Sequence, residues 1–238
     1  MTAPPGAADA RLWADTGFRP SRHGFLFANR WPAIPAIQVE LGGMVSLGLG
    51  RAADGLCGGM VWTARDLWEA GLAPPPDLVS PPSAPDPRFG AIVARQLDSL
   101  VWGIVPLAFW RSQLAARLWG AGALRHSLRH HWPAIRADLR RGEPAVVGLI
   151  RQAAWSPMVL RHQHQVLAWA YRTEPTTEGG RRLVLSLYDP NHPGRDDVEL
   201  IAELGPDGRS LRVSQSTAEP VLGFFRLPYR FRDPAAWR

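Results

Sequence analysis

Apolar positions follow one spacing in the first part of the chain and another in the second, and the change falls near residue 142. Met60, Ala64, Leu67 and Trp68 stand at i, i+4, i+7 and i+8, one face of a helix that begins at Cys57. Gly71 is placed to end it. Residues 89–119 read as a largely apolar helical region that Pro106 should kink or break. Residues 127–141 read as a further helix, interrupted near its start by Pro133 and stopped by Gly142. Beyond Gly142 the apolar runs shorten to strand length: PAVVGLIR, HQVLAWAYR, RRLVLSLYD, VELIAEL, SLRVSQS and VLGFFRLPYRF. Gly179 and Gly180 mark a turn, and GPDGR marks a hairpin between VELIAEL and SLRVSQS. Upstream, IQVEL reads as a short strand, followed by a Gly-rich stretch that ends in a loop at 51–55. Helices first and antiparallel strands second predict an α+β fold with segregated lobes, not alternating βαβ units. The expected plan is a single domain over 1–238, with a helical lobe over about 44–142 and a β-sheet lobe over about 143–232. Residues 1–20, rich in Pro, Gly and Ala, are expected to be loosely ordered. Seven prolines in 72–88 predict an extended surface loop.

Composition narrows the function classes. The chain has 238 residues, 46% of them hydrophobic and 20% charged, a globular balance long enough for a sizeable core. The formal charge is +6, and all 27 Lys and Arg side chains are Arg. Asn occurs only at Asn29 and Asn191. Arginine without lysine, beside scarce Asn, points to a GC-rich coding sequence. The basic pI therefore carries little weight for nucleic-acid binding, and the arginines are dispersed instead of forming one stripe. No nucleic-acid partner is expected. The longest uncharged apolar run, about Ser99 to Trp110, falls short of the roughly 20 residues that span a bilayer. The first residues lack the pattern of a secretory signal. The expectation is a soluble, cytoplasmic protein with no membrane partner. A single cysteine excludes an intramolecular disulfide.

That cysteine carries the candidate chemistry. Cys57 stands in DGLCGGMVWTARDLWEAG, where a Gly-containing loop meets an amphipathic helix. Unpaired N–H groups and the helix dipole at such a position favour thiolate over thiol. Gly58 and Gly59 are poor helix formers. They are expected where a substrate backbone approaches closely, with Trp155 as a further candidate for the groove. The plainer alternative is a small apolar residue buried at a helix start. In RHQHQVLAWAYR, His164 opens a strand and His162 lies on the same face. An imidazole beside a thiol can take its proton and later protonate the leaving group. Asp189 closes the next strand in LVLSLYDPNHPG, where adjacent antiparallel strands would set it beside His164 as the group that orients the ring. Asn191 is the alternative orienter. A metal held by His162 and His164 with Asp189 or His192 is the competing reading, at a spacing that matches zinc sites poorly. His126, His130 and His131 read as a solvated helix face, and Trp62, Trp68, Trp102 and Trp110 as core.

A Cys opening a helix, a His opening a strand and an Asp closing the following strand, in that order, resemble the papain-like cysteine peptidases. HQVLAWAY and LYDPN are most similar to the bacterial bacteriocin-leader-processing kind. The resemblance covers roughly residues 50–70 and 144–192. It implies a papain-like fold, with an N-terminal helical lobe packed on a C-terminal antiparallel sheet lobe. It also implies a thiol-dependent hydrolase, a peptidase or amidase, that acts through a covalent thioacyl intermediate on a peptide or protein substrate, with no cofactor or metal. Cys57 would be nucleophile, His164 general base and acid, and Asp189 orienter. The chain departs from the family at one point. Such enzymes carry a Gln shortly before the cysteine, whereas Arg51 stands six residues before Cys57. The oxyanion would then be held by the Cys57 N–H with Gln38 or Asn29. A catalytically inactive papain-like binding module and a transglutaminase-like acyltransferase are the alternatives.

Overall fold

Two helix ends are closed by glycine in the same way. In the computed structural model, which describes residues 12–31, 38–41, 45–48, 55–100, 122–151 and 164–238, Gly71 and Gly142 have φ of 70° and 78°. Gly71 N–H donates to Trp68 O and Leu72 N–H to Leu67 O, and Gly142 and Glu143 repeat the pattern on Leu139 and Asp138. These paired bonds satisfy the last helical carbonyls and need a left-handed residue, which glycine adopts without a Cβ clash.

In chain order the described elements are β1 (Trp13–Asp15), α1 (Pro20–His23), β2 (Gln38–Leu41), β3 (Val45–Gly48), α2 (Cys57–Glu69), α3 (Pro87–Ser99) and α4 (Gly122–His126). A π-helical stretch (Ser127–His131) joins α4 to α5 (Trp132–Arg140). There follow β4 (Ala145–Ile150), β5 (His164–Pro175), β6 (Arg181–Tyr188), β7 (Glu199–Leu204), β8 (Leu211–Gln215), β9 (Gly223–Arg226) and a 3-10 turn (Ala235–Trp237). Asp86 caps α3 by accepting the Arg88 N–H at 2.8 Å, with Pro87 at the first position, so the Pro-rich loop stops there. Pro133 lacks an N–H and would crowd the carbonyl four residues earlier. The wider π winding, in which Trp132 N–H reaches Ser127 O, absorbs it.

The fold is α+β: N-terminal helices pack with a C-terminal antiparallel sheet that curls into a half-barrel. Strand order is β8-β7-β6-β5-β4-β9, and β1 pairs with β5. One edge of β5 serves two partners. His164–Ala168 pair with β4, and Ala170–Arg172 pair with β1 across an irregularity between Ala168 and Ala170. Alternation along β5 then sends Leu167 and Trp169 to one core, with Met60, Leu67 and Ile92 of α2 and α3. It sends Val166 and Ala168 to a second core, with Leu124, Ile135 and Leu139 of α4 and α5.

Four expectations need correction. Residues 13–15, expected to be loose, form a strand because Trp13, Ala14 and Asp15 find free backbone partners on Arg172, Tyr171 and Ala170. The Gly-rich stretch after IQVEL contains a strand of its own: β3 folds back on β2 with Leu41 opposite Val45. It lies inside the range assigned to the helical lobe. Only Gly223–Arg226 of VLGFFRLPYRF is strand; the chain then leaves the sheet and returns to α2. Finally, His131 is half-buried near the Phe225 ring, not solvated, although His126 and His130 are exposed. Residues 101–121, with Trp102, Pro106 and Trp110, lie outside the described residues. No helix among those described is long and apolar enough to cross a membrane.

The returning tail is held by a buried ion pair. Arg95 of α3 meets Asp66 of α2 at 2.6 Å, with side chains 6% and 3% exposed. Asp66 also accepts from Tyr229 Oη at 2.7 Å and from the Arg232 N–H at 3.1 Å. One carboxylate therefore ties two helices to the C-terminal segment.

Candidate active site

Cys57 is the first residue of α2, and Leu56 before it has no side chain that can cap the helix. Two amides from elsewhere take that role. Asn29 Oδ1 accepts the Leu56 N–H at 2.7 Å and the Trp31 indole N–H at 3.0 Å. Gln96 Oε1 of α3 accepts the Gly59 N–H at 2.8 Å. The Asn29 N–H also donates to Pro190 O at 2.9 Å. Asn29 thus braces the loop before Cys57 against the turn after Asp189. Met60 N–H closes the first helical turn on Leu56 O.

Sheet register delivers the other two groups. Leu167 pairs with Tyr188, so Asp189 stands diagonally across from His164 on the same face. His164 Nε2 lies 2.6 Å from Asp189 Oδ1, and the residues are 5% and 0% exposed. The ring's other nitrogen is left for Cys57, whose sulfur is close enough to His164 for each group to shift the other's ionisation. The backbone N–H groups of Gln165 and Gly58 also favour the charged form of that sulfur. Cys57 itself keeps some contact with solvent.

Burial alone pushes the Cys57 thiol up. The His164 hydrogen bond and charge, with the two N–H groups, more than offset it, and the net shift is downward. Burial alone would lower His164; the Asp189 carboxylate and the bonds to Asp189 and Cys57 outweigh it and raise the ring to about 10. Burial likewise opposes the charge on Asp189, but His164, the Asn191 N–H and Arg151 hold it well below the usual carboxylate range. The three groups favour thiolate, imidazolium and carboxylate together.

A second layer surrounds Asp189. Its Oδ1 accepts the Asn191 N–H at 2.9 Å. Its Oδ2 accepts Gln215 Nε2 at 3.0 Å and lies 3.4 Å from the Arg151 guanidinium. Arg151 also reaches Glu219 at 3.0 Å. Asp189, His192 and Glu219 bring ligand atoms within 4.8 Å of one another, as a metal site would. An Arg151 nitrogen, however, already bridges the two carboxylates.

Comparison with family models, with curated proteins and with solved structures finds no match.

Cys57, His164 and Asp189 therefore converge as the chain order implied, and other candidates land elsewhere. Asn191 is exposed and serves Asp189 through its backbone N–H, so it does not orient the ring. Asn29 lies beside the loop, its side-chain oxygen accepting from Leu56 and Trp31. Gln38 opens β2, opposite Gly48. Trp155 and His162 lie outside the described residues. Gly58 and Gly59 do not line an open groove. Both are buried; a Cβ on Gly58 would meet Ser99 Oγ and Gln165, and one on Gly59 would meet Ile92 O and Gln96. The close approach they permit is that of α3 on α2. Gly59→Ala is expected to destabilise the fold by about 1–3 kcal/mol despite alanine's better helix propensity, because the obstructing atom is backbone. Urea unfolding measures this, and an unchanged midpoint would contradict the packing account. Arg151, Gln215 and Glu219 escaped the sequence reading. Arg151 is a polar residue at the close of an apolar strand, the same signal that marks Asp189.

Proposed function

We propose that the chain is a thiol-dependent hydrolase with a papain-like arrangement, a peptidase or amidase acting on a peptide or protein substrate. The observation that carries this reading is a histidine held by a buried aspartate at 2.6 Å and in electrostatic contact with a cysteine at a helix N-terminus. In the reaction the Cys57 thiolate attacks the substrate carbonyl carbon and forms a tetrahedral adduct. Its collapse breaks the C–N bond, and the His164 imidazolium gives its proton to the departing amine. The resulting thioester is attacked by water, which His164, now neutral, deprotonates. The acid leaves, and thiolate and imidazolium are restored. Asp189 keeps the ring oriented and stabilises its charge throughout. The Cys57 N–H at the start of α2 is a donor for the oxyanion.

Labelling with an acyl-electrophile probe tests the reading. Wild type should label at neutral pH, and Cys57→Ala should not label at all. Wild-type protein that labels no faster than a free thiol would leave a binding module as the better account.

The pH dependence follows from the directions of the shifts. Cys57 is lowered, so labelling should rise with pH through a midpoint below the ordinary thiol range. His164 is raised to about 10, so turnover that needs imidazolium should persist across neutral pH and fall as that value is approached. A labelling midpoint at or above 8.5, the value of a free thiol, would contradict this.

A further inference from the structure

The layer behind Asp189 bears on the same site, and the inference rests on the hydrolase reading. Arg151 follows β4, Gln215 closes β8, and Glu219 lies in the connection from β8 to β9. Each reaches inward at the end of the sheet that carries His164 and Asp189. An arginine beside Asp189 is a hazard to the His164–Asp189 pair. A guanidinium paired closely with the carboxylate would draw its charge away from the imidazolium and would itself repel that ring. Arg151 meets the two carboxylates unequally: 3.0 Å to Glu219 and 3.4 Å to Asp189. Glu219 is in turn held by several donors. Its Oε2 accepts Thr217 Oγ1 at 3.0 Å, lies 3.2 Å from His192 Nε2, and receives Gln215 Nε2 at 3.3 Å. Gln215 is buried and also holds the far oxygen of Asp189 at 3.0 Å.

We propose that Glu219 is a positioning residue that draws the Arg151 guanidinium off Asp189, so that the carboxylate's charge remains committed to His164. Gln215 supplies the neutral bond that fixes the carboxylate's orientation in place of a close guanidinium. Among the described residues, the charged and titratable groups around the pair are Cys57 from α2, Arg151 after β4, His192 in the turn after β6, and Glu219. Of these, Arg151 and Glu219 are bonded to each other. Their charges act on His164 with opposite signs, and a merely structural role does not predict this.

The test follows the His164 imidazole by NMR titration in the full chain carrying Cys57→Ala, where no thiolate contributes. Glu219→Gln is expected to lower the His164 pKa by roughly one pH unit, the scale of one unit charge at partly buried distance. Arg151→Gln is expected to raise it, the double variant to return near the parent value, and Glu219→Asp to resemble the parent. A His164 titration that Glu219→Gln leaves unmoved, or that both single variants move in the same direction, overturns the proposal. If Glu219→Gln does not fold, the sign of the Arg151→Gln shift still decides. Alkylation of wild-type Cys57 by iodoacetamide is measured alongside. A rate no greater than that of a free thiol at equal thiolate fraction defeats the hydrolase reading itself. A fast rate with an unmoved His164 defeats only the role of Glu219.

Discussion

Replacing His164 with alanine is expected to lower the rate of Cys57 acylation at pH 7 by about 10²–10⁴-fold, the range that general acid–base catalysis supplies. Two losses act in the same direction. The group that gives and takes the proton is gone. The thiol also loses the hydrogen bond and charge that offset its burial, so it moves upward, and even an ordinary thiol is only a few per cent ionised at pH 7. The helix N-terminus and the Gln165 and Gly58 N–H groups remain, so some reactivity survives. Second-order rate constants with an acyl-electrophile probe measure the effect, with circular dichroism to confirm the fold. A loss of less than threefold would mean that the contact between ring and sulfur has no catalytic consequence.

Asp66→Ala is expected to destabilise the protein by about 3–5 kcal/mol, the cost of removing one partner of a buried ion pair. Arg95, whose side chain is 6% exposed, would keep only the more exposed Asp98 at 2.9 Å as a charged partner. Tyr229 Oη and the Arg232 N–H would lose their acceptor as well. The pair is costly to break without being strongly stabilising in itself. Burial raises the Asp66 carboxyl above its ordinary value even with Arg95, Tyr229 and Arg232 beside it. Urea unfolding checks the prediction, and a loss below 1 kcal/mol would show that water enters the cluster freely.

How much was legible in the chain depended on whether a signal was local. Polar residues that open or close apolar strands stand out against their neighbours, and His164 and Asp189 were readable on that ground. The six strands after Gly142 and the helix from Cys57 follow from periodicity and glycine punctuation. β1 was not readable, because three residues are too few to show alternation and its partner on β5 lies more than 150 residues away. Gly58 and Gly59 show that a side chain is not tolerated, but not whether substrate or another helix takes the space; α3 takes it. Asn29 drew notice through the scarcity of Asn. Its part as a brace depends on contacts with Leu56 and Pro190 that only the folded chain makes. Asp66 and Arg95 cannot be told from ordinary charges on amphipathic helices by spacing, since 29 residues separate the partners. Arg151, Gln215 and Glu219 meet because sheet order brings the ends of β4, β6 and β8 together, which no single segment encodes.

The central claim is that Cys57 and His164 form a thiolate–imidazolium pair. With one cysteine in the chain, the difference in absorbance at 240 nm between wild type and Cys57→Ala reports that thiolate alone. Titrated below pH 9, wild type should show thiolate forming below the ordinary thiol range, and His164→Ala should show it appearing only as that range is reached. Wild type and His164→Ala titrating together, at or above the range of a free thiol, would contradict the account.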